Sequence, residues 1–308
     1  MQPATFNSHL LHSTNRIWTQ SNCSVDLWIE LLNSWGENPV AALGFTVALD
    51  HEGDQFTFFK IPTADLNKLY GVQLYELSIY QSLIHQVVPQ VNRGNVVLVE
   101  VDGYYLPDTA GVSYQLLHTK TTIGINKIDT LNQTCGYFHN DTYGTLHGND
   151  YLHVMQCTKA RDDILFPYTE FIKRSHDYVK DPTELLHIAK ELFREHVAAV
   201  PQVNPIVAYR NLFMDQITNL QLEDFHAYAF NNFRMLGSNF EFLGDHLKWL
   251  DQDRYVVACE SCKVMAEMAR ILQFKTARMV ARKKYTMMTE TFDLLEYNYN
   301  QILNNIQL

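Results

Sequence analysis

One of the five cysteines in this chain of 308 residues stands where a nucleophile is expected. Cys23 lies at or just before Ser24–Trp35, a segment whose apolar residues recur every three to four positions, and Gly36 follows it. This spacing predicts an amphipathic helix that begins near Cys23. The unpaired amide groups of a helix N-terminus favour a thiolate, so Cys23 is a candidate nucleophile. A buried structural cysteine at a helix cap is the alternative.

A histidine on a strand could act as the general base for such a nucleophile. His118 opens a predicted strand over residues 118–125, and a later strand end carries His139, Asn140 and Asp141. Any of these three side chains could fix the orientation of an imidazole ring. The chain order of cysteine, histidine and then asparagine or aspartate is that of papain-like enzymes, in which the base takes the thiol proton. With thirteen histidines in the chain, some match of this order arises easily.

The other four cysteines are predicted to be packing residues. Cys259 and Cys262 form a C-x-x-C pattern inside a helical segment, but the further ligands of a zinc site do not follow it. Cys135 and Cys157 have no partner motif. An odd and scattered set of cysteines argues against a disulfide framework and favours a reducing compartment.

Two acidic residues lie at the end of a predicted buried strand. Glu100 and Asp102 alternate with apolar residues after Val96–Val99, so they share one face of the strand. Two carboxylates on an interior strand need partners. They either form a pocket for an amine or an ion pair with Lys120 or Arg93, and the sequence leaves both possibilities open.

The composition bounds the class of protein. Lys plus Arg number 24 against 34 Asp plus Glu, a net charge of -10, which argues against nucleic-acid binding. No apolar run approaches the roughly 20 residues that cross a bilayer, and residues 1–11 lack the pattern of a secretory signal. No phosphate-binding loop or dinucleotide fingerprint is present, so no nucleotide cofactor is expected. These observations predict a cytoplasmic protein without membrane contact.

The pattern of predicted secondary structure changes near residue 165. Before it, short strand-like runs alternate with helices; after it, nearly every segment is helical. We therefore predict an α+β domain over residues 1–165 and a helical domain over residues 166–308. The predicted strands include 56–59, 96–101 and 121–125. The predicted helices of the second part cover 182–200, 206–219, 222–236, 238–250, 253–272 and 276–304.

Several segments carry a family resemblance: Asn22–Glu30, Gly53–Lys60, Glu100–Gly111, Lys120–Gly124 and Gly136–Asn140. With them the chain resembles a bacterial family called domain of unknown function 1839, through nearly its whole length. More distantly, it is similar to the butirosin-biosynthesis acyltransferase group. Those proteins are papain-like and have a helical C-terminal part. The resemblance therefore implies a papain-like, cysteine-protease-type α+β domain followed by a helical domain.

The distant resemblance also implies a chemistry. The group moves an aminoacyl group from an acyl carrier protein thioester to an amine, so the expected partners are that carrier protein and a small-molecule or protein amine. The phosphopantetheine thioester would arrive on the carrier protein, and no cofactor or metal is expected on this chain. By carry-over Cys23 would be the nucleophile and His118 the base. Asn140 would orient His118, with His139 or Asp141 as rivals.

The remaining roles follow from the same comparison. Papain-type enzymes place an oxyanion-binding Gln upstream of the nucleophile, where this chain has Ile17 and Trp18. Gln20 and Asn22 are the nearest amides, and the Cys23 backbone N–H would be the second donor. The expected substrate-binding residues are Glu100, Asp102, Tyr104, Tyr105 and Asp108, the last of which also suits a turn or cap.

A basic cluster stands out in this acidic chain. Lys275, Arg278 and Arg282 share one face of a predicted helix and could dock an acidic carrier protein, or could simply be a solvated face. Three other functions stay open: a cysteine amidase or peptidase in which water replaces the amine, a non-catalytic binding protein on the same fold, and a metal hydrolase. The last would use His9, His12, His118 or His139.

Overall fold

The structure is a computed structural model that describes residues 6–158, 165–175, 178 and 180–307. It is an α+β protein, as predicted, with a six-stranded sheet and a helical C-terminal region. The strands are β1 (Val72–Glu76), β2 (Val96–Asp102), β3 (Lys120–Asp129), β4 (Thr134–His139), β5 (Thr142–His147) and β6 (Thr169–Arg174). The sheet order is β1-β6-β2-β3-β4-β5, and every pairing is antiparallel.

Ten α-helices are found in the described residues. Those that precede residue 165 are α1 (Cys23–Ser34), α2 (Thr63–Tyr70), α3 (Leu83–Asn92) and α4 (Gly148–Val154). The later ones are α5 (Pro182–Ala198), α6 (Pro205–Asn219), α7 (Phe225–Ala229), α8 (Met235–Asp251), α9 (Val256–Arg282) and α10 (Thr289–Asn305). A π-helical segment, Phe230–Arg234, joins α7 to α8. Across the described ranges, no helix is long and apolar enough to cross a membrane.

The chain folds as two compact units. The described residues of the first lie within Met1–Leu10, Cys23–Glu37 and Leu66–Val179. Successive side chains along each strand point to opposite faces of the sheet, and both faces are covered. On one face, the β-branched side chains of Val97, Val99 and Ile123 are fully buried and form a core with α3. The other face receives α1, whose Leu27 lies against Gly124.

The second unit comprises Leu11–Asn22, Asn38–Asp65 and Lys180–Leu308. Its core is formed by the helices, above all α8 against α9 and α9 against α10. The segment before Cys23 is fixed to this core: Glu241 accepts from the Ile17 and Trp18 amides at 3.0 and 2.9 Å, and the Trp18 indole donates to the Ala266 carbonyl at 3.1 Å.

Several predicted elements differ from the structure. Residues 56–59 form no strand; only Phe56 makes an isolated bridge, to His51. The helices predicted over 253–272 and 276–304 are instead α9, which is unbroken to Arg282, and α10, because the left-handed break comes at Lys283. The domain boundary predicted after residue 165 stays a prediction; β6, which follows it, pairs within the sheet.

A glycine of α8 explains how closely the second unit packs. A Cβ at Gly237 would overlap the Trp18 indole. We expect Gly237→Ala to lower the free energy of unfolding by about 1 to 2 kcal/mol, since overpacking outweighs the helix propensity that alanine gains. Urea unfolding measures the change. A Trp18→Phe background should remove part of the cost; equal costs in both backgrounds would contradict the overlap.

Candidate active site

Cys23 is the first residue of α1, as the sequence predicts. The helix forms there because Val25, Leu27 and Ile29 are buried, and its N-terminus leaves the first backbone N–H groups without intrahelical acceptors. Cys23 itself is half-buried, and all five cysteines are thiols. The position therefore combines access with donors that favour negative charge.

His118 forms a close pair with Asp102. Its Nδ1 lies 2.5 Å from Asp102 Oδ2, and Asp102 Oδ1 also accepts from the backbone N–H groups of Tyr104 at 3.0 Å and Thr119 at 3.2 Å. Burial is the largest influence on the pKa of Asp102 and raises it, but these hydrogen bonds together outweigh burial and lower the pKa. Asp102 is thus an ionised acceptor that fixes the imidazole ring.

The structure corrects the predicted partner of His118. Asn140 lies in the turn between β4 and β5 with a φ of 46°, and the acceptor at His118 Nδ1 is Asp102. His118 also lies two residues before β3, which starts at Lys120. The reason is cross-strand pairing: Asp102 ends β2 directly opposite Lys120, so the strand ends bring residues 102 and 118 together.

His139 and Asp108 form a second pair, buried in the sheet unit. His139 Nδ1 lies 2.5 Å from Asp108 Oδ2, and its Nε2 lies 2.8 Å from Thr121 Oγ1; the Tyr137 hydroxyl also donates to Asp108. Burial raises the pKa of Asp108, but the His139 and Tyr137 contacts outweigh it and lower the pKa. His139 therefore does not orient His118. Asp108 anchors His139 and Tyr137, and its expected role in substrate binding stays a prediction.

Aromatic rings surround His118. The Tyr104 ring stacks on it with centroids 4.5 Å apart and an interplanar angle of 11°, and Tyr105 meets Tyr104 edge-on at 5.0 Å. Tyr105 stacks in turn on His153 of α4, at 4.3 Å and 6°. The sequence singled out both tyrosines but missed His153, because a lone histidine on a short helix carries no local signal.

Tyr105, His118 and His153 border a cavity of ≈ 560 Å³ within the sheet unit. Of the predicted substrate-binding residues, Glu100, Asp102 and Tyr105 line it, and so does His118. The full lining is Glu100, Val101, Asp102, Tyr105, His118, Thr119, Lys120, His153, Val154, Gln156 and Pro167. Carboxylates, a cation and aromatic faces thus share one recess that could hold a polar ligand of moderate size.

Lys120, which also lines this cavity, forms an ion pair with Glu100. Of the two partners predicted for Glu100, the structure gives Lys120, whose Nζ donates to Glu100 Oε1 at 2.9 Å. The hydrogen bond to Glu100 and the charge of Glu100 raise the pKa of Lys120 most. In the described part of the chain, no hydrogen bond joins the Cys23 thiol to His118 or to His139.

The predicted oxyanion donors have different outcomes. Asn22 is buried, and its Nδ2 donates to the Phe59 carbonyl at 3.1 Å and lies 4.0 Å from Met235 Sδ. The side-chain nitrogen of Asn22 thus already has neighbours inside the second unit, and its expected oxyanion role stays a prediction. Gln20 is half-buried, and its role stays a prediction.

The other predicted residues lie as follows. Lys275, Arg278 and Arg282 are exposed on α9. Cys135 and Cys262 are buried as predicted, whereas Cys157 is exposed in the turn after α4, so its packing role is wrong. Within the described ranges, no three His, Cys, Asp or Glu side chains form a group that could hold a metal ion.

Comparison with known protein families finds a match for both parts of the chain. The DUF1839 N-terminal domain matches residues 7–174, and the DUF1839 C-terminal domain matches residues 182–307. No curated protein matches.

Proposed function

The chain belongs to the DUF1839 family, and from this premise we propose that it is a papain-like cysteine acyltransferase. It would move an acyl or aminoacyl group from a carrier-protein thioester to an amine. One observation carries the proposal: Cys23 begins a helix that packs on an antiparallel sheet, and the His118–Asp102 pair stands at the end of the same sheet. A thiol at a helix start and a carboxylate-oriented imidazole are the parts that nucleophilic acyl transfer requires.

Acylation uses the free nitrogen of the oriented ring. Because Asp102 holds Nδ1, His118 Nε2 takes the proton from Cys23 Sγ, and the thiolate attacks the thioester carbonyl carbon. The carbon–sulfur bond to the phosphopantetheine arm breaks, and its sulfur takes the proton back from His118. The backbone N–H of Cys23, at the start of α1, would stabilise the oxyanion.

Transfer completes the cycle. The acceptor amine attacks the carbonyl carbon of the acyl-Cys23 intermediate, and His118 takes one proton from the attacking nitrogen. The bond between the acyl carbon and Cys23 Sγ then breaks, which restores the starting thiol and imidazole. Glu100, Asp102 and Tyr105 in the cavity supply the negative charge and aromatic face that an amine favours.

The partner is an acyl carrier protein. Such proteins are acidic, and the exposed face of α9 formed by Lys275, Arg278 and Arg282 offers complementary charge in a chain whose net charge is -10. Charge complementarity of this kind acts mainly on the association rate and weakens with added salt.

The test is the intact mass of the protein after incubation with a carrier protein charged with an aminoacyl thioester. We expect a mass increase equal to the acyl group, mapped by peptide mass spectrometry to Cys23 and released when an amine is added. Cys157→Ala, which removes an exposed thiol, is the matched control and should acylate normally. Absence of an adduct on the wild type, or an equal adduct on Cys23→Ala, would refute the proposal. Release by water alone would favour a hydrolase.

A further inference from the structure

We propose that the cavity beside His118 binds a free α-amino acid with an apolar side chain, whose carboxylate contacts Lys120 and whose amino group contacts Glu100. As the acceptor of acyl transfer this ligand rests on the proposed function, whereas its binding does not. The proposed function requires only an amine. The charges of the cavity also provide for a carboxylate, which narrows the ligand to a zwitterion.

The cavity presents charges of both signs where two paired strands meet. Glu100 and Asp102 are two residues apart on β2, so they share one face, and Asp102 lies directly opposite Lys120 of β3. The Lys120 ammonium reaches diagonally to Glu100, with Nζ 2.9 Å from Oε1. A ligand with only a positive charge would meet the lysine, and one with only a negative charge would meet two carboxylates. A zwitterion matches both signs.

The three charged groups differ in the hydrogen-bonding capacity that they leave for a ligand. Asp102 is already engaged by the His118 ring and by the backbone N–H groups of Tyr104 and Thr119. The Lys120 side chain is 76% exposed, and one of its three ammonium protons serves Glu100. Among the described residues, the hydrogen bond that reaches the Glu100 carboxylate goes to Oε1, which leaves Oε2 for a ligand. Glu100 and Lys120 are therefore the pair that can receive one, while Asp102 stays with His118.

The spacing of this pair suits two opposite charges that are close together. In an α-amino acid the nitrogen and the carboxylate carbon are bonded to the same carbon atom and lie about 2.5 Å apart. Lys120 Nζ and Glu100 Oε1 are separated by 2.9 Å. The ligand can therefore place its carboxylate on Lys120 and its ammonium group on Glu100 at the same time. The four charges then alternate in sign, and the protein's own ion pair stays intact.

The uncharged wall of the cavity indicates which side chain the ligand carries. Val101, Val154 and Pro167 line the cavity together with the Tyr105 ring, in a volume of ≈ 560 Å³. Contact with these groups removes apolar ligand surface from water, which favours binding. An aliphatic or aromatic amino acid fits this wall better than a second charged group does.

The experiment compares three small molecules that share one alkyl chain: L-leucine, isopentylamine, which lacks the carboxylate, and isocaproate, which lacks the amine. Saturation-transfer-difference NMR with the full chain at pH 7 gives a dissociation constant for each. We expect L-leucine to bind at least about tenfold more tightly than either of the others, because each of them loses one ionic contact. Equal affinity for L-leucine and isopentylamine, or no saturable binding of L-leucine, would overturn the proposal.

Two substitutions predict changes of opposite sign for the single-charge ligands. Lys120→Met should weaken L-leucine binding about tenfold and strengthen isopentylamine binding, because it removes a charge that repels the amine. Glu100→Gln should also weaken L-leucine binding about tenfold, but it should strengthen isocaproate binding. If the ion pair only supported the fold, either substitution would weaken all three ligands, and that result would contradict the assignment.

Matched control variants lie outside the cavity. Lys127→Met removes the other lysine of β3, and Glu76→Gln removes an exposed carboxylate of β1; both should leave the three dissociation constants unchanged. The measurement involves no acyl donor, so the two proposals fail separately. Acylation of Cys23 without L-leucine binding would refute the amino acid site alone, and L-leucine binding without acylation would refute acyl transfer alone.

Discussion

Replacement of His118 by Gln is expected to reduce turnover of a carrier-bound thioester about 10²- to 10⁴-fold, the usual contribution of a positioned general acid–base. Glutamine keeps a similar volume and can still contact Asp102, but it cannot exchange protons at neutral pH. Turnover is measured as amide product formed per enzyme under saturating carrier thioester. The loss should appear in kcat, because the ring acts in the chemical steps.

A substitution at the neighbouring carboxylate, Asp102, tests the same role of His118. Asp102→Asn should cost at least about tenfold, because an amide cannot favour the tautomer that carries the proton on Nδ1. The matched control is His187→Gln: the His187 side chain is 70% exposed on α5 and pairs with Glu191, four residues on. Turnover of His118→Gln within about threefold of the wild type would remove the residue from its assigned role.

Replacement of Asp108 by Ala is expected to lower the free energy of unfolding by about 3 kcal/mol. The carboxylate accepts from Tyr137 and lies 2.5 Å from Nδ1 of buried His139, so its loss leaves two buried polar groups without their partner. Equilibrium unfolding in urea measures the change through the shift of the midpoint at constant slope. Asp253→Ala, in the exposed turn before α9, is the matched control and should change stability by less than about 0.5 kcal/mol.

The pH dependence of the free energy of unfolding gives a second test of Asp108. The pKa of Asp108 is lowered in the folded state from its ordinary 3.8. Its stabilising contribution is therefore present above pH 3.8 and lost as the pH falls through the lowered folded-state value. The difference in stability between the wild type and Asp108→Asn should shrink in that acidic window. A difference that stays constant from pH 6 to pH 2 would contradict the paired carboxylate.

Cys23 and the strand carboxylates were predictable because their signals are local. The three-to-four spacing of apolar residues after Cys23 fixes where the helix must begin for its apolar face to be buried. Strand alternation likewise places Glu100 and Asp102 on one face, and the structure has them there. Each of these inferences needs only a window of about ten residues.

The partners of the two key histidines were decided by tertiary structure. Chain order favoured Asn140 as the residue that orients His118, but antiparallel pairing of β2 with β3 brings Asp102 to that ring instead. The segment between these strands brings Asp108 to β4, where its carboxylate lies beside His139.

The sequence by itself thus determined an α+β chain with a helix-start cysteine, two acidic residues on one face of a strand, and a histidine close to the start of the next strand. Only the tertiary structure decided that Asp102 pairs with His118, that Lys120 pairs with Glu100, and that His139 is buried and paired with Asp108. The physical reason is the range of the interactions. Side-chain periodicity follows from backbone geometry within one element, whereas hydrogen bonds across strands depend on register and loop path, which no local pattern encodes.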